Sequence, residues 1–297
     1  MSRAASPSRG HAYGLSRVCR AWGMSRATVY RRLAETQRPP RRRPGPQGPM
    51  DDARLLANVR QMIETSPFHG EGYRKVWARL RFAGVRTSQR RVLRLMRENS
   101  LLAPHRLRKV RVRAHTGTIT TPRVDTRWGT DMTETVTLKD GVARVFVAVD
   151  HCNTECVGIH AARSGNRFEA LEPIRQGALK KFGVIEQGVA EGLSLRHDHG
   201  SNYMSRDFQE EISFLGMESS PAFVREPEGN GVAERFIRTL KENLLWVRTF
   251  ETIEELRLAL LAFKAWYNDN WLLKRHGYLT PSQVRQRQRP ENMLLAA

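Results

Sequence analysis

The chain of 297 residues is poor in cysteine and contains no long apolar stretch. Its three cysteines, Cys19, Cys152 and Cys156, lack the even number and spacing of a disulfide framework, which is typical of a reducing compartment. No apolar run approaches the roughly 18 residues of a membrane-spanning helix, and the first residues lack the apolar part of a secretory signal. We therefore expect a soluble, cytoplasmic protein without a membrane partner.

Acidic residues are scarce in the first part of the chain. Residues 1–120 carry 27 Lys and Arg against six Asp and Glu, whereas residues 121–297 carry 23 against 24. The net charge of +20 therefore comes from the N-terminal part. Such a positive field is typical of a segment that binds nucleic-acid phosphates, and a basic solubilising tail is the alternative. Arginine predominates over lysine, which favours forked contacts with phosphates and base edges.

Residues 1–37 contain a helix-turn-helix pattern. Two short predicted helices flank a turn at Gly23, and Ser25 is placed to cap the second helix. We expect apolar side chains to pack across the turn, Val18 and Trp22 against Val29 and Leu33. The second helix of such a motif lies in the major groove of DNA, although helical hairpins also produce the pattern by chance. The residues predicted to contact DNA here are Arg26, Thr28 and Arg31.

A second DNA-binding module is predicted further along the chain. Residues 38–50, rich in Pro and Arg, form an extended basic linker to a helical segment over residues 51–108. Ser88 caps a helix in which arginines recur at i, i+4 and i+7 on one face, namely Arg90, Arg94 and Arg97. The preceding helix offers core residues, namely Val76, Leu80 and Phe82. Residues 109–124 form a basic connector that can lie along a duplex.

The sequence pattern changes to alternating strands and helices at about residue 126. Three runs rich in Val, Thr and Ile are joined tightly enough for an antiparallel meander, and the order continues as helix, strand, helix, strand and helix. Pro173 predicts a kink or a late start in the first of these helices. We predict a three-layer α/β domain over residues 125–285, followed by a tail over residues 286–297.

Three carboxylates are expected to meet in this domain. Asp131 lies within the first strand, Asp198 ends the fourth strand, and Glu234 lies in the first turn of the last helix. The predicted order places strand four beside strand one, so the acids would converge at one site. They would repel each other unless a cation joined them, and Mg²⁺ prefers such oxygen ligands. An exposed ladder of charges along the helix is the alternative role for Glu234.

Three motifs around these acids resemble those of a known superfamily. They are "WGTDMTE", "LRHDHGSNYMSRDF" and "PEGNGVAERFIRTLKENL", and they look like the catalytic motifs of DDE transposases and retroviral-type integrases. The 35 residues between Asp198 and Glu234 match the spacing of the integrase-like branch, and Lys241 matches its basic residue. Residues 69–101 and 267–284 resemble second-reading-frame (OrfB) transposases of bacterial insertion sequences. The similarity covers nearly the whole chain.

The resemblance implies a fold and an activity. The fold would be an RNase H-like core, a five-stranded mixed sheet with helices, preceded by all-α helix-turn-helix segments. Asp131, Asp198 and Glu234 would hold two Mg²⁺ or Mn²⁺ ions and catalyse cleavage of DNA at the ends of the element and joining of the 3′-hydroxyl to target DNA. Lys241 would contact that DNA, and we add Arg238 from its position on the helix.

The same resemblance implies partners and a location. The partner is double-stranded DNA, both element ends and target, bound by a homo-oligomer at the bacterial nucleoid. The family also makes a first-reading-frame transposase protein a candidate partner, since full-length members usually add such a segment. Many members have Asp-Asn where this chain has Gly229-Asn230, which is a departure from the family pattern.

Other functions remain open at this point. A sequence-specific DNA-binding regulator with an inactive integrase-like core would use the same helical modules, and a nuclease of the same fold would cleave without joining. A zinc site is a further alternative, made of His151, Cys152, Cys156 and His160. These four residues span a strand, a turn and a strand, where alternating faces point side chains apart, so we expect no zinc there.

Overall fold

The computed structural model describes residues 4–37, 50–104, 119–222 and 230–288. The chain forms two compact units, Met1–Pro49 and Met50–Ala297. Most of the predicted linker, the first part of the basic connector, Gly229 and most of the tail lie outside the described residues. Among the described helices, none is both long and apolar enough to cross a membrane.

The first unit contains the predicted pair of helices, α1 (Gly14–Ala21) and α2 (Arg26–Gln37). Gly23 turns the chain with φ +63°, and the Ser25 hydroxyl accepts a hydrogen bond from the Thr28 N–H at 3.1 Å. The predicted packing across the turn is wrong for two residues, because Trp22 is 63% exposed and Leu33 is 53% exposed. Two helices this short offer too little surface to cover both side chains.

The predicted second helical module consists of α3 (Asp52–Glu64), α4 (Tyr73–Phe82) and α5 (Gln89–Glu98). The Ser88 hydroxyl caps α5 by accepting a hydrogen bond from the Arg91 N–H at 3.2 Å, as predicted. The three helices enclose a small apolar core of Leu55, Val59, Val76, Leu80, Val92, Leu95 and Met96. Phe82, which we expected in this core, is 61% exposed because it lies at the last turn of α4.

The central sheet has five strands in the spatial order β3-β2-β1-β4-β5. Strands β1, β2 and β3 pair antiparallel as the predicted meander, whereas β4 pairs parallel with β1, and β5 pairs parallel with β4. Their bounds are β1 (Arg127–Thr137), β2 (Gly141–Asp150), β3 (Cys156–Ala162), β4 (Ser194–His197) and β5 (Glu218–Pro221). This mixed sheet confirms the predicted RNase H-like core and places strand four beside strand one.

Helices cover both faces of the sheet and complete the three layers. Their bounds are α6 (Arg167–Phe182), α7 (Ser201–Met204), α8 (Arg206–Phe214), α9 (Gly231–Leu240), α10 (Ile253–Asn270) and α11 (Pro281–Arg287). Helices α6 and α8 enclose one apolar core with the sheet, and α9 and α10 enclose the other. Helix α6 continues through Pro173, whose carbonyl oxygen would lie 1.7 Å from a Cβ at Gly158, so only glycine fits there.

The α3–α5 module packs against the α/β domain through the segment between α3 and α4. Phe68 is 3% exposed and belongs to the core that α9 and α10 form with the sheet. Its ring lies 4.3 Å from the ring of Trp266 and 4.7 Å from that of Trp271. The Lys75 ammonium lies over the Trp271 ring, and the His69 N–H donates to the Asn243 side chain at 2.8 Å. The module is therefore held to the core by buried aromatic contacts.

Candidate active site

The sheet register brings Asp131 and Asp198 to the same level of neighbouring strands. Gly129 of β1 pairs with Arg196 of β4 in a parallel ladder. Asp131 lies two residues after Gly129, in the middle of β1, and Asp198 lies two residues after Arg196, directly after the end of β4. Adjacent strands are about 4.8 Å apart, so the two side chains are close neighbours.

The segment that carries Asp198 is fixed by a buried histidine. His197 is fully buried, and its Nδ1 lies 2.7 Å from the carbonyl oxygen of Asp198, while its Nε2 lies 2.9 Å from the Ser219 hydroxyl. The Gly200 N–H donates to Oδ1 of Asp198 at 2.8 Å. Tyr203 stacks on the imidazole with ring centroids 5.8 Å apart. These contacts fix the backbone around Asp198, which is itself exposed directly after β4.

Helix α9 is attached to β1 through Asn230, the residue that directly precedes the helix. The Asn230 side chain is 6% exposed and donates a hydrogen bond from Nδ2 to the Thr130 carbonyl oxygen at 2.9 Å. Thr130 adjoins Asp131, and Asn230 lies one helical turn before Glu234. This single contact therefore fixes the start of the helix beside the strand that carries the first acid. Sequence reasoning missed it, although an asparagine between two glycines at a helix start is an accessible sequence pattern.

Gly129 makes room for this attachment. A Cβ at this position would lie 2.6 Å from Oδ1 of Asn230 and 2.7 Å from Nε2 of His151. His151 is fully buried, and its Nδ1 lies 2.9 Å from the Ile119 carbonyl oxygen. The glycine of the "WGTD" motif therefore allows two polar side chains to approach the strand directly behind the acids.

The pKa of Asp131 responds to the charges of the other residues predicted for the site, Asp198, Glu234 and Lys241. Burial first, and then the charges of Asp198 and Glu234, raise the pKa of Asp131 to about 6, against a hydrogen bond from the Met132 N–H and the positive charge of Lys241. The two other acids are exposed, as is Arg238, one turn after Glu234. The structure thus brings Asp131, Asp198, Glu234 and Lys241 within electrostatic reach of one another.

Helix α9 changes its winding at Lys241. The α-helix ends at Leu240, and the chain continues as a π-helical turn over Lys241–Leu245. The sequence pattern predicts a regular helix here, since π-turns have no reliable sequence signature. Such turns occur often at functional sites, and this one begins at the residue whose charge reaches Asp131.

Whether the three acids suit a divalent cation depends on whether basic side chains already pair with them. Among the described residues, none of Asp131, Asp198 and Glu234 forms an ion pair within 4.0 Å. Three carboxylates without a cationic partner fit a site that binds a hard cation. Within the same ranges, no three His, Cys, Asp or Glu side chains are already close enough to hold a metal ion.

The other residues predicted to contact DNA belong to the two helical modules. In the first unit, Arg26 and Arg31 are exposed, and the Thr28 hydroxyl lies 2.8 Å from that of Ser25. In helix α5, Arg90 and Arg97 are exposed. Arg94 is exposed as well, but it forms ion pairs with Asp52 at 2.6 Å and with Glu98 at 2.9 Å. Its guanidinium is therefore partly engaged inside the module.

The four residues of the alternative zinc site have separate partners. Nε2 of His160 lies 2.7 Å from a carboxylate oxygen of Glu169 on α6, whereas Cys156 lies in the core on the other face of the sheet. His151 contacts Ile119, and the Cys152 thiol donates to the Pro122 carbonyl oxygen at 3.5 Å. Cys156 and His160 are four residues apart and would share a face in a regular strand, but the β2–β3 pairing shifts register between Cys156 and Gly158 and places them on opposite faces.

Comparisons with known proteins match both parts of the second unit. Residues 50–109 match the HTH-like domain family, and residues 215–281 match the integrase core domain family. The chain is 30% identical over 253 residues to "Transposase InsD for insertion element IS2A/D/F/H/I/K" of Escherichia coli, covering 80% of each protein. The chain belongs to the insertion-sequence transposases of the DDE type. It is a DNA transposase, and nothing in these matches favours the regulator alternative.

Solved structures similar to the transposase include a retroviral intasome and an integrase catalytic core domain. The simian T-cell lymphotropic virus intasome matches with a TM-score of 0.47 at 17% identity, covering 81% of this chain and 77% of that one. The catalytic core domain of BIV integrase matches with a TM-score of 0.41 at 19% identity, covering 55% of this chain and 94% of that one. The integrase core family match includes Glu234 and Lys241, and the HTH-like match includes helices α3–α5 of the transposase.

Proposed function

We propose that Asp131, Asp198 and Glu234 form the catalytic site of this transposase and hold two divalent ions, Mg²⁺ or Mn²⁺. The observation that supports this proposal is the electrostatic coupling of the three carboxylates, since burial first, and then the charges of Asp198 and Glu234, raise the pKa of Asp131 to about 6. Bound there, the ions would activate the attacking oxygen and stabilise the leaving oxygen of a phosphodiester. The reaction is cleavage at the element ends, followed by joining of the 3′-hydroxyl to target DNA.

The protein residues around the acids have distinct tasks in this proposal. Asp198 and Glu234 are exposed and face the substrate, while the buried His197 and Asn230 hold their backbones in place. Lys241 is close enough to Asp131 to offset negative charge that a phosphate would bring to the site. Arg238 is exposed on the same helix and contacts the DNA backbone beside it.

DNA binding is assigned to the basic helical modules. Arg26, Thr28 and Arg31 of the first unit, and Arg90, Arg94 and Arg97 of helix α5, contact phosphates and base edges of the element ends. We propose that the transposase acts as a homo-oligomer on double-stranded DNA at the bacterial nucleoid, with a first-reading-frame protein as a candidate partner. The domain boundaries given above stay predictions.

The test is cleavage of a duplex that carries the terminal repeat of the encoding element, in Mg²⁺ or Mn²⁺. We expect Asp198→Asn to abolish cleavage and joining, because the exposed carboxylate is lost, while duplex binding stays within about twofold of wild type. Arg90→Gln is the control with the reverse effect. It should weaken binding of the duplex and leave the cleavage of bound DNA intact. Undiminished cleavage by Asp198→Asn would refute the catalytic assignment.

A further inference from the structure

Two buried polar atoms behind the acids face the same point, and neither has a hydrogen-bond partner among the described residues. They are Nε2 of His151, which follows β2, and Oδ1 of Asn230, which precedes α9. His151 is fully buried, and Asn230 is 6% exposed. A buried polar atom without a partner destabilises a fold, so two of them at one place indicate a bound polar group between them.

Gly129 defines how near the two atoms are to each other. A Cβ at this glycine would lie 2.7 Å from Nε2 of His151 and 2.6 Å from Oδ1 of Asn230. The two atoms are therefore no further apart than the sum of these distances, which two hydrogen bonds to one shared atom can span. Because side chains alternate along a strand, this point lies on the same face of β1 as Asp131, two residues further on.

The other hydrogen bonds of each group show that both atoms are acceptors. Nδ1 of His151 lies 2.9 Å from the carbonyl oxygen of Ile119, which can only accept, so Nδ1 carries the proton and Nε2 has a free lone pair. Asn230 donates from Nδ2 to the carbonyl oxygen of Thr130 at 2.9 Å, so its Oδ1 is the atom near Gly129. Two acceptors cannot bond each other, so a donor is needed between them.

The surroundings of His151 limit which donor this is. Burial lowers the pKa of His151 to about 4, and the charges of Arg127, Arg196 and Arg275 act in the same direction, so the ring is neutral at pH 7. A protonated ring that donates directly to Asn230 is therefore disfavoured. The same three positive charges disfavour a metal cation beside the two lone pairs. Water is small enough for a place beside a glycine and supplies two hydrogens.

We infer that one buried water molecule donates to Nε2 of His151 and to Oδ1 of Asn230, and that His151 acts through it as a positioning residue for the reaction. The water fixes the amide of Asn230, this amide holds the start of α9 against β1, and α9 carries Glu234 one turn further on. On its other side, His151 holds Ile119 of the basic connector (residues 109–124). The start of α9 is thereby joined to the connector. This inference rests on the proposed catalytic role of Glu234.

The positioning role is tested by single-turnover cleavage of a bound terminal-repeat duplex with the full-length protein. We expect His151→Phe, which keeps a ring and loses both nitrogens, to slow cleavage at least about tenfold and to change duplex affinity less than about twofold, the pattern of a group that orients a ligand from outside. His151→Gln should recover most of the rate, because its amide offers one donor and one acceptor. In an Asn230→Ala background, His151→Phe should cause no further loss, because the water acts through this amide.

His160→Phe is the matched control. His160 is also largely covered by protein, but its Nε2 bonds Glu169 on α6, on the other face of the sheet. Its replacement should leave the cleavage rate of bound DNA unchanged. Additive losses from His151→Phe and Asn230→Ala would overturn the inference, as would equal losses from His151→Phe and His160→Phe.

The water and the position of the proton are measured on the wild type, so the inference stays testable if a variant fails to fold. We expect a high-resolution crystal structure to show one water within hydrogen-bond distance of Nε2 of His151 and Oδ1 of Asn230. Nitrogen-15 NMR should show the proton of His151 on Nδ1 at pH 7. A direct contact between the two side chains, or a proton on Nε2, would overturn the inference. If the wild type fails to cleave while the water is present, the proposed reaction is wrong and the water site stands without its positioning role.

Discussion

Two groups of carboxylates on the same sheet have opposite electrostatic surroundings. Asp125 and Glu155 are buried beside the start of β1 and the start of β3, and Arg285 forms ion pairs with both. Lys181 adds a contact to Asp125 at 2.7 Å, and Lys180 one to Glu155 at 3.2 Å. The acids predicted to be catalytic lack such partners among the described residues.

The pKa values follow from this difference. Burial alone would raise the pKa of Asp125, but hydrogen bonds and charge from Arg285 and Lys181 hold it below its usual range. By contrast, burial and the charges of Asp198 and Glu234 together raise the pKa of Asp131 to about 6. Paired acids stabilise the fold, whereas acids without an ion pair destabilise it, and we propose that Asp131, Asp198 and Glu234 are kept for a ligand. The ion pairs, rather than a raised pKa, distinguish the two groups, because burial also raises the pKa of Asp150, beside Asp125, to about 6.

The largest expected effect is a reversal of phenotypes between the two groups. Glu234→Gln should reduce cleavage at least about 10⁴-fold, the scale of removing one member of a catalytic unit, with little change in stability. Glu155→Gln should leave the site residues in place and instead lower the free energy of unfolding, because Arg285 and Lys180 lose their partner. Cleavage assays and denaturant titrations of both variants check this. Equal loss of activity in both variants would break the comparison.

Removing the shared cation of the structural group should have the next largest effect. Arg285→Met leaves Asp125 and Glu155 buried with only lysines beside them, which should cost about 3–5 kcal/mol of unfolding free energy. Urea titration measures the loss. The control is Lys139→Ala, which removes an exposed ion pair with Glu251 and should cost less than about 1 kcal/mol. Similar losses in the two variants would contradict a structural role for Arg285.

A smaller effect is expected from the neutral histidine behind the site. Burial lowers the pKa of His151 to about 4, and the charges of Arg127, Arg196 and Arg275 act in the same direction. Because the unfolded state binds its proton near pH 6.5, stability is lost as pH falls from about 6.5 towards 4, by about 2 kcal/mol at pH 5. His151→Asn should remove this loss, as measured by the difference in urea stability between pH 7.5 and pH 5. A wild-type slope retained in the variant would exclude His151 as its source.

The smallest effect extends the comparison to the basic residues of helix α5. Arg94 is paired with Asp52 and Glu98, whereas Arg90 and Arg97 form no ion pair among the described residues. Replacing Arg90 or Arg97 by Gln should reduce the slope of log binding constant against log salt by about 1, since one phosphate contact is lost. Arg94→Gln should reduce it by less. Equal slopes for all three variants would show that the ion pairs of Arg94 with Asp52 and Glu98 do not reduce its contact with phosphates.

Much of the fold was predictable because its periodicities are local. The Val-rich run of β2 and the tight turn at Gly141 specify the antiparallel meander, and the Ser25 and Ser88 caps specify where helices begin. The acids could be named because motif spacing and strand order together place Asp131 beside Asp198.

The remaining features depend on contacts between distant parts of the chain. Phe68 has no local pattern that predicts its burial against Trp266 and Trp271. The ion pairs of Arg285 span 130 and 160 residues, and the bond from Asn230 to Thr130 spans 100. The exposure of Trp22 was mispredicted for the opposite reason, since an apolar pattern cannot show that its partner surface is too small.

Metal binding tests the central claim, that the unpaired acids are kept for divalent cations, most directly. Free Mn²⁺ can be followed by electron paramagnetic resonance during titration into the wild type and into Asp131→Asn, Asp198→Asn, Glu234→Gln and the control Glu242→Gln. We expect the wild type and the control to bind Mn²⁺ alike, and each active-site variant to bind at least about tenfold more weakly, because an oxygen ligand is lost. Unchanged Mn²⁺ affinity in the three active-site variants would contradict the account.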